Sequence, residues 1–271
     1  MASVGELLPW ETSTPGERLF LVLYEFVRAR APRYKDEHAW VFSNDGMREF
    51  FRLVMTLELT HRCMNSAVDA VESLGSAASA AKLFALIRTD LGVYDSETAL
   101  RQISELALRA AEAYVGRKLT NGKRNTAHKE STGWCCWCAT PTSTAKSTPD
   151  AHRATVEHIW PEFLGGTSDT TNLTIACKPC NSARQHAFSW AWFGLQSCNE
   201  RLDVNLRLPR SVTLPLALYR LMRVASGQTR LTPHSLTLKD ALLRLKGAIP
   251  SLRLSKDRRY TFFELLTLTS D

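Results

Sequence analysis

Seven cysteines fall at positions 63, 135, 136, 138, 177, 180 and 198, and four of them form two C-x-x-C pairs, Cys135/Cys138 and Cys177/Cys180. A two-residue gap lets a pair of thiolates wrap one metal, and two such pairs supply the four ligands of a tetrahedral structural zinc. Cys136 leaves a second register open, Cys136-x-Cys138, whereas Cys63 and Cys198 have no partner nearby. Between the pairs lie 38 residues that include Glu157-His158, Gly165-Gly166 and Asn172, and Asn181 directly follows the second pair. A side chain that titrates near neutrality, a carboxylate and amide oxygens beside a zinc-held scaffold are the materials of metal-assisted hydrolysis. One short module therefore speaks for both a structural zinc and a hydrolytic site.

Those residues need elements to bring them together. Residues 154–159 are β-prone, Pro161, Gly165 and Gly166 then break the chain, residues 172–176 resume a short strand, and Asn181 stands at the expected start of a helix. Strand, loop, strand and helix gather Glu157, His158, Asn172 and Asn181. The ordered pattern E-H-I-x-P, G-G, N-L and C-x-x-C-N-x-x-R over residues 135–184 closely resembles the HNH endonuclease family with its ββα-metal fold. That resemblance implies His158 as general base and Glu157 as a metal ligand, the two side chains on opposite sides of a strand step. It further implies that Asn172 braces the loop and orients the histidine, that Asn181 is the second metal ligand, and that Arg184 holds the scissile phosphate. Many relatives carry Asp or His where Glu157 stands and His where Asn181 stands. One carboxylate and one amide oxygen make a hard, weak site that suits Mg²⁺ or Mn²⁺ over Zn²⁺.

The rest of the chain sets the context. Its 271 residues, 44% hydrophobic and 23% charged, suffice for a packed core and argue against disorder. No apolar run has the length of a membrane span; residues 19–27 come closest, but Glu25, Arg18 and Arg28 suit a core helix. The first ten residues lack the basic-then-apolar order of a signal peptide, so an intracellular, cytoplasmic protein is expected. Apolar stripes predict helices over residues 17–31, 47–59, 65–74, 77–91 and 96–115, after an irregular arm at 1–16, and again over 214–225, 235–246 and 260–268. Residues 188–193 are expected to extend the helix of the module, and residues 198–213 to form loop or a short strand. The isolated His38, His61 and Cys63 receive no role.

The expected fold is mainly α: a helical bundle at 1–116, a basic linker at 117–130, the zinc-stabilised module at 131–196 and a basic helical region at 197–271. Lys and Arg number 10 against 14 acidic residues in the first hundred positions, 11 against 8 in the second, and 13 against 5 in the remainder. The positive half, with Arg220, Arg223, Arg230, Lys239, Arg244, Lys246, Arg253, Lys256, Arg258 and Arg259, would draw a polyanion. The leading expectation is a metal-dependent endonuclease of DNA, with RNA left open. Its N-terminal helices would recruit a partner, dimerise or restrain the activity, as in the effector of a defence or mobile-element system. The competing expectation is a zinc-stabilised nucleic-acid-binding module, or a subunit of a larger complex, without catalysis.

Overall fold

The structure, a computed structural model, describes residues 9–30, 45–74, 76–89, 96–116, 118–187, 202–203, 208, 210–252, 254–255 and 258–269. Four helices come first: α1 (Pro15–Arg30), α2 (Asp45–Leu74), α3 (Ser76–Thr89) and α4 (Glu97–Val115). The start of α1 is a reciprocal cap. Thr14 Oγ1 accepts from Glu17 N at 3.2 Å, while the Glu17 carboxylate accepts from Thr14 N at 2.7 Å and from the Trp10 indole at 3.1 Å. The end of the expected irregular arm is thereby tied down, with Trp10 buried.

Helix α1 divides two cores. Leu19 and Leu23 enter the bundle with Met64, Ala67, Leu83, Ile87 and Ile103. Phe20 and Tyr24, a quarter-turn round the helix, enter a second core with Trp10, Trp137, Trp160 and the C-terminal helices. The two helices expected at 47–59 and 65–74 are one. Nothing between Thr60 and Met64 breaks a helix, Thr60 Oγ1 donates to Thr56 O, and buried Cys63 and Met64 continue the apolar stripe.

The stretch expected as a tether carries a helix, α5 (Asn121–Lys129), capped by Thr120, whose Oγ1 accepts from Lys123 N. After it come the antiparallel strands β1 (Ala154–His158) and β2 (Leu173–Cys177), paired from Ala154↔Cys177 to His158↔Leu173, and then α6 (Lys178–Ala187). This is a ββα module. Helix α5 covers one sheet face, Ala127 packing with Leu173, Ile175 and Val156. Helix α6 and the cysteine turn cover the other.

The C-terminal region contributes a two-residue ribbon, β3 (Leu202–Asp203) with β4 (Arg259–Tyr260), and helices α7 (Arg210–Ala225), α8 (Leu238–Arg244) and α9 (Phe262–Leu268). Helix α7 is apolar nearly all round and runs through the second core, where it packs against α6, α8 and α9. The apolar interior thus crosses the boundaries expected near residues 117 and 196. Two basic residues of this region lie inward: Arg223 is buried, and half-buried Arg220 points at the carbonyls of Gly247 and Ala248. The expected helical extension at 188–193, His38 and Cys198 lie outside the described residues.

Candidate metal centres and the His158 cluster

The four cysteines of the two pairs converge. Cys135 and Cys138 sit on a tight turn, Cys177 ends β2, Cys180 lies in the first turn of α6, and their sulfurs are all within 4.8 Å of one another. A tetrahedron with Zn–S bonds of about 2.3 Å has edges of about 3.8 Å. Cys138 Sγ and Cys177 Sγ are 3.8 Å apart. The set fits a structural zinc, and Cys135 rather than Cys136 is its member. Hydrogen bonds from Cys136 and from the other three sulfurs hold the Cys135 thiol far below its usual range, whereas burial pushes Cys136 well up. Arg210, opening α7, is raised by a hydrogen bond with Cys180, so a cation stands beside the cluster from outside the four sulfurs. Backbone bonds from Ala248 N to Cys136 O at 2.9 Å and Ile249 N to Trp137 O at 2.8 Å fasten the C-terminal region to the cysteine turn.

Strand alternation sends Glu157 and His158 to opposite faces. His158, on the α5 face and 17% exposed, meets two side chains that its sequence surroundings do not advertise. Its Nε2 lies 3.1 Å from Ser168 Oγ and 3.2 Å from Glu162 Oε1, and Ser168 Oγ donates to Glu162 Oε1 at 3.0 Å. Both partners come from the loop joining β1 to β2. Asn172, 1% exposed, braces that loop: its Oδ1 accepts from Trp160 N at 2.7 Å, and its Nδ2 donates to Trp160 O and Thr167 O. Its backbone oxygen also accepts from Ile159 N at 2.9 Å, next to His158.

The loop also leans on the N-terminal helices. Trp160 packs between Trp10 and Phe20, and Gly16 N donates to Gly165 O at 3.1 Å. Both glycines are required at this contact. Gly165 has φ +82°, and a Cβ on Gly16 would sit 2.0 Å from Leu164 O.

On the other face, Glu157, Asn181 and Arg184 meet between β1 and α6. The Glu157 carboxylate, 4% exposed, is paired with the Arg184 guanidinium, itself 6% exposed. Arg184 also donates to the carbonyls of His158 and Ile159 and lies 4.6 Å over the Trp137 ring. Burial pushes the Glu157 carboxyl above its usual range, and Arg184 pulls it partly back. Asn181 Nδ2 donates to Thr155 Oγ1 at 3.0 Å and Val156 O at 2.9 Å, which aims its Oδ1 away from β1.

Glu157 and Asn181, expected as cation ligands, and Arg184, expected as a phosphate contact, all lie on this face. The residues are together, with the Glu157 carboxylate and the Arg184 guanidinium paired and both buried.

Residues 135–191 match the model of a family described as HNH endonuclease, a segment of the 271-residue chain. No curated protein and no solved structure matches the chain. The matched segment contains the four-cysteine cluster, the hairpin and α6, and it speaks for a nuclease-type function and a nucleic-acid substrate. Among the described residues, no helix is long and apolar enough to cross a membrane.

Proposed function

We propose that the ββα module hydrolyses phosphodiester bonds in nucleic acid, DNA foremost, with His158 as general base. The observation that supports this best is the His158, Glu162 and Ser168 cluster inside the segment that resembles endonucleases. The Glu162 carboxylate accepts a hydrogen bond from Nε2–H, which selects the tautomer whose basic nitrogen is Nδ1. That nitrogen takes a proton from water as the water oxygen bonds to phosphorus and the ester oxygen departs. Glu162 and Ser168 hold the ring without reacting, as the orienting carboxylate of a hydrolytic triad does. Asn172 and the Gly16–Gly165 contact hold the loop that holds them.

A divalent cation, when bound to a nuclease, offsets the charge that builds on phosphate and leaving group. In this chain the proton transfer rests on the residues of the α5 face. Glu157 and Arg184 lock β1 to α6 by a buried ion pair. If the nuclease is the effector of a defence or mobile-element system, α2 to α4 offer outward faces for recruitment.

Supercoiled plasmid incubated with the full chain and Mg²⁺ or Mn²⁺ tests the proposal: nicked or linear product is expected. The closed Glu157–Arg184 pair favours a second reading, a zinc-stabilised nucleic-acid-binding module, and unchanged plasmid that is nonetheless retarded in a gel would support it.

A further inference from the structure

Helix α5 lies on the same sheet face as His158. Ala127 packs on Val156 and on Leu173, and Leu173 is the cross-strand neighbour of His158. Alternation places Ala154, Val156 and His158 on one side of β1. One end of the helix comes close to the cluster: Lys123 Nζ is 3.0 Å from Asp169 Oδ1, and Asp169 follows the serine whose hydroxyl faces His158.

The charge on α5 and the residues leading into it is one-sided. Residues 117–129 hold five Lys or Arg and no acidic residue. The two acids beside the helix are each already paired, Asp169 with Lys123 and Glu130 with Lys239. Lys118, Arg124 and Lys129 are exposed and have no acidic partner among the described residues. Burial, and then the charge of nearby Arg124, hold the His128 imidazole below its usual range. A helix with one buried alanine and an otherwise cationic surface gains little from the core; its composition suits an anion.

We propose that α5 is a phosphate-backbone contact that leads a nucleic-acid strand over its exposed surface towards His158, with Arg124 and Lys129 each neutralising a backbone phosphate. This rests on the nuclease reading and supplies what buried Arg184 does not, a cation for the substrate on the side of the base.

Each phosphate neutralised adds about 0.9 to the slope of log affinity against log salt on duplex DNA. The experiment measures that slope for a labelled DNA duplex, and in a parallel arm an RNA duplex, using the full zinc-loaded chain with His158→Ala to prevent cleavage. Arg124→Gln and Lys129→Gln should each lower the slope by about 1 and together by about 2. Lys82→Gln, an equal change of charge on α3, should leave it unaltered. Melting temperature and zinc content should match the parent, and the arm that shows the change names the substrate. A slope unmoved by the α5 variants, or lowered as much by Lys82→Gln, overturns the role of α5 while plasmid cleavage keeps the nuclease reading. A parent that binds neither duplex overturns both.

Discussion

Arg184 is where a phosphate ligand and a structural buttress make opposite predictions. Its guanidinium and the Glu157 carboxylate are 6% and 4% exposed. Arg184→Met keeps most of the volume but strands a buried carboxylate, and removing one partner of such a pair costs about 3–5 kcal/mol. The carbonyls of His158 and Ile159 lose a donor, and the Trp137 ring loses its stacked cation, so the upper half of that range is expected. With each kcal/mol worth about 2–4 °C in a chain of this size, the melting temperature should fall by roughly 10 °C or more.

Glu157→Gln combined with Arg184→Met removes both charges and should recover much of the loss, because the desolvation penalty disappears with the pair. Thermal unfolding of the zinc-loaded wild type, both single variants and the double variant, followed by circular dichroism, gives the coupling directly. If Arg184→Met melts within about 2 °C of wild type and instead raises KM, the guanidinium belongs to the phosphate and the buttress account is wrong.

Cys177→Ser should lower zinc content and melting temperature together, since structural zinc supplies folding free energy; lost cleavage with both unchanged would contradict the assignment of the four cysteines to zinc. Glu162→Ala removes the carboxylate that orients the His158 ring and should slow single-turnover cleavage on the order of 10²-fold with duplex affinity unaltered. Glu162→Gln, which keeps a hydrogen-bonding oxygen, should restore part of that rate, and equal losses in the two variants would refute a positioning role. Gly16→Ala drives a methyl into Leu164 O and should cost about 1–3 kcal/mol as α1 and the loop part. Cleavage should fall with it although Gly16 carries no chemistry. Full activity at a temperature where the variant stays folded would show that the N-terminal helices do not brace the loop.

What could be read from the sequence was local. The cysteine pairs, the hairpin and the order of His158, Asn172 and Asn181 depend on short spacings, and the sulfur cluster takes the register in which Cys135 joins Cys138. The direction of a charged side chain is not local. Spacing put Arg184 one turn beyond Asn181, but only the packing of α6 on β1 shows that it turns inward. Glu162 and Ser168 meet His158 because the loop closes against α1 and α4 through Gly16, far away in the chain, so no pattern near His158 announces them. Helix α5 has one buried apolar residue, Ala127, and hence no stripe to find; its Asn-Gly step looks like a turn but sits in the first turn of a helix. Charge alone likewise could not distinguish Arg220 and Arg223, which point into the protein, from the exposed Arg230 and Arg244.

The central claim is that His158 takes the proton from water. The most direct test is single-turnover cleavage of a labelled duplex by the full zinc-loaded chain, wild type against His158→Ala, with Mg²⁺ or Mn²⁺ present. The account predicts a rate lower by about 10²–10⁴-fold with zinc content, melting temperature and duplex affinity unchanged. Cleavage by His158→Ala at the wild-type rate would contradict it.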